Sequence, residues 1–155
     1  MTLLSKHLDP GEFNDRLRGA QTVTADLMSE VIGNTCRRFP PRRPTEQTVR
    51  IERLIRSEAW LDAALALIEL ELPQWQVRRI VYDEGEWHCA LSRARELPEW
   101  LDQSVEAHHA DLALAVLGAF VEAPRAGRTS RKTSVPTVPR GAELTCIPLC
   151  CDNFA

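Results

Sequence analysis

The chain has 155 residues, a formal net charge of −3 and 44% hydrophobic residues, a composition that is ordinary for one globular domain. It has no run of about 18 apolar residues, which excludes a transmembrane helix, and its first residues lack the sustained apolar segment of a signal peptide. We therefore expect a cytoplasmic protein without membrane contact, in which the five cysteines are mostly reduced. The odd number of cysteines also argues against a closed disulfide framework.

Charge is unevenly distributed along the chain. Residues 47–123 carry twice as many acidic residues as arginines, whereas residues 124–155 are net basic. Because nucleic-acid binding depends on neutralising phosphates with basic side chains, an acidic central region favours a protein partner over a nucleic acid.

Residues 1–44 are predicted to be a weakly ordered N-terminal segment. One short helix is expected over 22–32, capped by Thr24 and stopped by Gly33. The following stretch, 36–44, is rich in proline and arginine and is interpreted as an extended linker. Its Pro-x-x-Pro spacing fits a peptide ligand, but a plain spacer is the favoured interpretation.

A long apolar helix is predicted from Thr45 to Leu72. Thr45 is a suitable N-cap, Pro73 ends the helix because it has no amide hydrogen to donate, and only Glu58 interrupts the main apolar stripe. The second half is apolar around most of its circumference, which is typical of a helix buried on several sides.

A β-hairpin follows, with strands over 74–82 and 86–93 around a turn at 83–85. If Gly85 takes the left-handed position of a three-residue loop, Tyr82 lies opposite Glu86 and Val81 opposite Trp87. This register predicts one mainly apolar face, formed by Trp75, Val77, Val81, Trp87, Cys89 and Leu91.

A second long helix is predicted to begin near Asp102 or Ser104 and to run to Ala123, where Pro124 stops it. The fold class is therefore α+β, a helix–hairpin–helix (α-β-β-α) core over residues 45–123. Residues 124–155 have the composition of a disordered, basic, cysteine-containing tail. Since a lone two-stranded ribbon is only marginally stable in water, we expect further strands from the tail or from a second copy of the chain.

Three groups of residues could carry chemistry. Cys146, Cys150 and Cys151 could hold a soft metal or act in redox chemistry, but a closed zinc site needs four ligands. Glu106 and His109 have the spacing of a helical metal-ligand pair, which needs a second such pair on a facing helix. His88 could act as an acid or base, but no recognisable nucleophile or phosphate loop accompanies it.

These patterns favour a small, non-enzymatic interaction or adaptor protein without a cofactor or catalytic residues. It would associate with itself as a homodimer, or with another protein, through its apolar helix and hairpin. The alternative is a metal-binding or redox protein that uses the three tail cysteines. Aromatic and arginine side chains dominate protein interfaces, and the expected interaction surface consists of Trp60, Trp75, Arg78, Tyr82, Trp87 and Trp100.

Overall fold

The computed structural model describes residues 9–94, 96–98 and 101–129. It contains five helices and one antiparallel sheet with the strand order β1-β2-β3 within those residues, so the α+β class is confirmed. The elements, in chain order, are α1 (Pro10–Gly19), α2 (Ala25–Thr35), α3 (Glu46–Arg56), α4 (Trp60–Glu71), β1 (Gln76–Asp83), β2 (Glu86–Ser92), β3 (Ser104–His109) and α5 (Leu112–Thr129).

Helix α5 forms the centre of the molecule. One side packs against β2 and β3, while α4, α1 and α2 contact the rest of its surface, and α3 packs on α4. The side chains of Val116, Leu117 and Phe120 are fully buried. Gly118 permits the close approach to the sheet, because a Cβ at that position would lie 3.1 Å from the Cβ of Ala107.

Residues 104–109 form a strand and not the first turns of a helix, which corrects the predicted start of the second helix. Burial alternates strictly along β3, the pattern of a half-buried strand. The helix begins only after Asp111, whose carboxylate accepts a hydrogen bond from the amide of Leu114 at 3.0 Å. The third strand that the hairpin requires therefore comes from this chain.

The end of the same helix also differs from the prediction, because α5 continues through Pro124 to Thr129. Proline removes one main-chain hydrogen bond, yet packing holds this part of the helix against the N-terminal region. The Arg125 guanidinium donates to the carbonyl oxygen of Pro10 at 3.3 Å. The remainder of the predicted tail, 130–155, lies outside the described residues.

The single long helix predicted over 45–72 is two helices. The break occurs at Glu58, the one polar residue in the apolar stripe, where the backbone adopts a φ of 57°. A left-handed residue cannot continue a right-handed helix, so the chain turns and α4 packs back on α3. The predicted cap is confirmed, since the Thr45 side chain accepts from the amide of Thr48.

The N-terminal segment contains two helices, although only one short helix was predicted and the segment as a whole was expected to be weakly ordered. The predicted cap of α2 is confirmed, because the Thr24 hydroxyl accepts from the amide of Leu27 at 3.2 Å. Helix α1 was missed because its composition is mostly polar. It nevertheless buries Phe13 and Leu17, which are four residues apart and so share one face.

The proline- and arginine-rich linker is fastened to the end of α4. The Glu71 carboxylate accepts hydrogen bonds from the amides of Arg37, Arg38 and Phe39 at 2.9, 2.7 and 2.8 Å. The Phe39 ring is buried in the core. This arrangement returns the chain from α2 to α3 along the end of α4.

The predicted hairpin register is wrong by one residue. Glu84 and Gly85 both have positive φ, 49° and 91°, which makes a two-residue turn instead of the expected three-residue loop. Tyr82 therefore pairs with Trp87 and Asp83 with Glu86, and a bulge between Val77 and Arg79 absorbs the extra residue. As a result Val81 lies on the face opposite to Trp87.

We expect Met28→Ala to lower the free energy of unfolding by about 2–5 kcal/mol, because it leaves a cavity where a fully buried side chain of α2 packs. Urea denaturation measures this change. The matched control is Ser29→Ala, at the neighbouring exposed position of α2. It should change the free energy of unfolding by less than about 0.5 kcal/mol. Equal, small effects of both variants would contradict the placement of α2 in the core.

Candidate functional site

Two of the predicted interaction residues meet at the turn end of the hairpin. The rings of Tyr82 and Trp87 are 5.1 Å apart between centroids and tilted by 54°. Trp87 is half-buried, while Tyr82 is 59% exposed. The pair therefore supports an aromatic surface at this end of the sheet.

The other predicted tryptophans do not join this pair. Trp75 is only 8% exposed, and the Arg93 guanidinium lies 5.9 Å from the centre of its ring. Trp60 is half-buried at the start of α4, where it packs against the core. Trp100 lies outside the described residues.

Arg78, also predicted to be an interaction residue, belongs to a partly buried polar cluster. Its guanidinium donates to the Asp102 carboxylate at 2.7 Å. The same carboxylate accepts from the Ser92 hydroxyl and, at 3.0 Å, from the amide of Ala94. These bonds hold the pKa of Asp102 below its ordinary value, with the Ser92 hydroxyl contributing most. The cluster fastens the connection between β2 and β3 to the sheet.

Two histidines and two glutamates lie on the face of the sheet opposite to α5. His88 pairs directly with His108 across the strands, and their rings stack with centroids 5.5 Å apart. The Nδ1 atom of His88 lies 3.3 Å from Glu106 and that of His108 lies 2.8 Å from Glu86. Within the part of the chain that the structure describes, no group of three or more such side chains has metal-binding geometry.

The Glu-x-x-His pair that the sequence suggested is separated by the strand. Glu106 and His109 are three residues apart on β3, so their side chains point to opposite faces of the sheet. His109 instead borders a cleft of about 430 Å³ between α1, β3 and α5. Its Nδ1 atom accepts from the amide of Asp111 at 2.9 Å, which places the hydrogen of the neutral ring on Nε2. This histidine fixes the turn into α5.

Cys36 and Cys89 are free thiols. Burial, reinforced by the nearby Glu71, raises the pKa of Cys36 to about 12. Burial, reinforced by Glu106, raises the pKa of Cys89 to about 11. Neither is a thiolate at neutral pH, and the thiolate is the nucleophile and the metal ligand. Cys146, Cys150 and Cys151, the weak metal candidates, lie outside the described residues.

The structure adds two residues to the candidate interaction surface. Ile80 and Val81 are exposed beside Tyr82 on β1, which forms one edge of the sheet. We call Ile80, Val81 and Tyr82 the β1 edge patch. The sequence prediction missed Ile80 and Val81 because it selected aromatic and arginine side chains, and its register placed Val81 on the mainly apolar face with Trp87.

One finding concerns membranes. Among the described residues, no helix combines the length and the apolar character that crossing a bilayer requires.

Asp102→Asn should lower the urea midpoint of unfolding at pH 7. It should also make that midpoint depend less on pH at acidic pH. A carboxylate whose pKa is lowered by folding stabilises the protein above its unfolded value of about 3.9, and this contribution is lost as pH falls through the folded pKa. Urea titrations between pH 7 and pH 2 test this. Asp15→Asn, on the exposed side of α1, is the control, and an acid profile of Asp102→Asn identical to that of the wild type would refute the assignment.

The thiols of Cys36, which is partly buried, and Cys89, which is buried, should react slowly with a disulfide reagent. In the full chain carrying Cys146→Ser, Cys150→Ser and Cys151→Ser, we expect both remaining thiols to react at pH 8 at least about 100-fold more slowly when folded than in urea, because the thiolate is scarce. Absorbance of the released thiolate follows the reaction. A thiol that reacts equally fast in both conditions would contradict the burial.

Comparisons with family models, with curated proteins and with solved structures found no match.

Proposed function

We propose that this chain is a small, non-enzymatic interaction protein that associates with itself through the edge of its sheet. The observation that supports this most directly is the β1 edge patch, three consecutive large side chains that are each more than a third exposed. Ile80 and Tyr82 lie on the face of the sheet against which α5 packs and Val81 lies on the other face, so apolar side chains flank this strand edge on both faces. A second edge strand paired here would gain cross-strand contacts on each face.

The position of the patch strengthens the proposal. An edge strand presents unpaired amide and carbonyl groups, which can accept a further strand from another chain. Helix α5 packs against β2 and β3, so the patch lies on the strand farthest from that cover. Unpaired main-chain groups and exposed apolar side chains are therefore both available to a partner strand at this edge.

Support from the apolar helix is weaker than the sequence suggested. The most apolar part of α4 is enclosed within this chain, with Ala63, Leu67 and Ile68 buried. Helices α3 and α5 cover α4, and β3 supplies the further strand that the hairpin was expected to need. The proposal therefore depends on the hairpin, while the metal or redox alternative and the cytoplasmic location remain predictions.

Val81→Lys should weaken self-association at least about tenfold, because it places a charge in the centre of the β1 edge patch, and edge lysines oppose strand pairing. Sedimentation velocity over a range of concentrations measures the change. Val49→Lys is the matched control, since Val49 and Val81 are both 41% exposed but Val49 lies on α3.

Two results would overturn the proposal. One is a wild-type protein that stays monomeric at every concentration tested. The other is an equal loss of association in both lysine variants, which would show that association does not depend on the sheet edge.

A further inference from the structure

We infer that the partner is a second copy of the chain whose β1 pairs antiparallel with this one, with Val81 facing the partner's Val81 across a two-fold axis. This inference rests on the proposed function and adds its geometry. It follows from the order of side chains along the C-terminal half of β1, Arg79-Ile-Val-Tyr-Asp83.

The faces of the sheet restrict the register. Two edge strands that extend one sheet antiparallel are related by an axis perpendicular to the sheet, as in a closed dimer with identical surfaces. That axis maps each face onto itself. Each residue therefore faces a partner residue from the same side of the strand, and the axis passes midway between one residue of β1 and the same residue of the partner.

Of the axis positions between Arg79 and Tyr82, only one brings compatible side chains together on both faces of the sheet. An axis at Arg79 opposes two arginines, which is unfavourable. An axis at Ile80 sets Arg79 against the partner's Val81, and an axis at Tyr82 sets Val81 against the partner's Asp83. An axis at Val81 pairs Ile80 with the partner's Tyr82 on one face, and Arg79 with the partner's Asp83 on the other.

The structure leaves residues 79–83 available for pairing with a partner strand. The bulge between Val77 and Arg79 interrupts regular pairing on the N-terminal side, because bulges twist and bend the strand. The turn at Glu84 and Gly85 limits it on the other side. Arg78 is already paired with Asp102. Arg79 is half exposed, and within the described residues its one ion pair is with the exposed Glu106, at 3.6 Å.

The size of this interface predicts a weak dimer. Five residues from each copy bury much less than the roughly 1,200 Å² at which stable interfaces begin. We therefore expect a concentration-dependent monomer–dimer exchange and not a permanent dimer.

Charge reversal at the two ends of the paired segment tests the register. Arg79→Asp faces the partner's Asp83 with a like charge, and Asp83→Arg faces the partner's Arg79 with a like charge. Each variant alone should self-associate at least about tenfold more weakly than the wild type. An equimolar mixture should recover association to within about threefold of the wild type, because every pair across the mixed interface is then of opposite charge.

The mixture controls for effects within one chain. Arg79→Asp also removes the contact with Glu106, but mixing leaves each monomer unchanged, so recovery reports only pairing between chains. Asp15→Arg on α1 carries the same charge change as Asp83→Arg, lies on another element, and should associate as the wild type does.

The outcomes separate this inference from the proposed function. If Val81→Lys abolishes association but the mixture fails to recover it, the sheet edge binds in another register and only the present inference is overturned. If Val81→Lys, Arg79→Asp and Asp83→Arg all self-associate as the wild type does, the proposed function is overturned as well. Recovery in the mixture supports both.

Discussion

The packing of α5 against β2 and β3 is the contact on which the rest of the structure depends. Burial of apolar surface is the main favourable contribution to folding, and this helix buries side chains on almost every side, including Val116, Leu117 and Phe120. Gly118 lets it lie close to β3. The sheet, α4 and the two N-terminal helices are all positioned by the surfaces that α5 offers them.

Polar contacts then fix the connections between these packed elements. Glu71 holds the linker through three amides, and Asp102 holds the connection between β2 and β3 through Arg78, Ser92 and Ala94. Both carboxylates satisfy main-chain donors, as buried or partly buried polar groups must. Arg78, which was predicted to be an interaction residue, is in this way committed to structure.

Helix α5 reaches only part of the sheet, and this limit links the fold to the proposed function. Its packing covers β2 and β3, so the same face of β1 keeps Ile80 and Tyr82 exposed, while Val81 is exposed on the other face. The exposed segment of the β1 edge is short and carries opposite charges at its two ends, Arg79 and Asp83. A weak, self-complementary contact is the association that such an edge favours.

The sequence by itself determined the α+β class, the caps at Thr24 and Thr45, and the presence of a hairpin near Gly85, because these depend on local backbone chemistry. It also suggested Tyr82 and Trp87 as interaction residues, because aromatic side chains are enriched at protein interfaces, and the two rings lie against each other in the structure. Tertiary structure decided the break at Glu58, the role of 104–109 as a strand, the continuation of α5 through Pro124 and the one-residue shift that exposes Val81. The first three depend on which distant surface a short segment can pack against, and the local pattern of residues does not contain that information. The register shift depends on a positive φ at Glu84 as well as at Gly85, and the residue types at the turn do not decide between a two-residue and a three-residue loop.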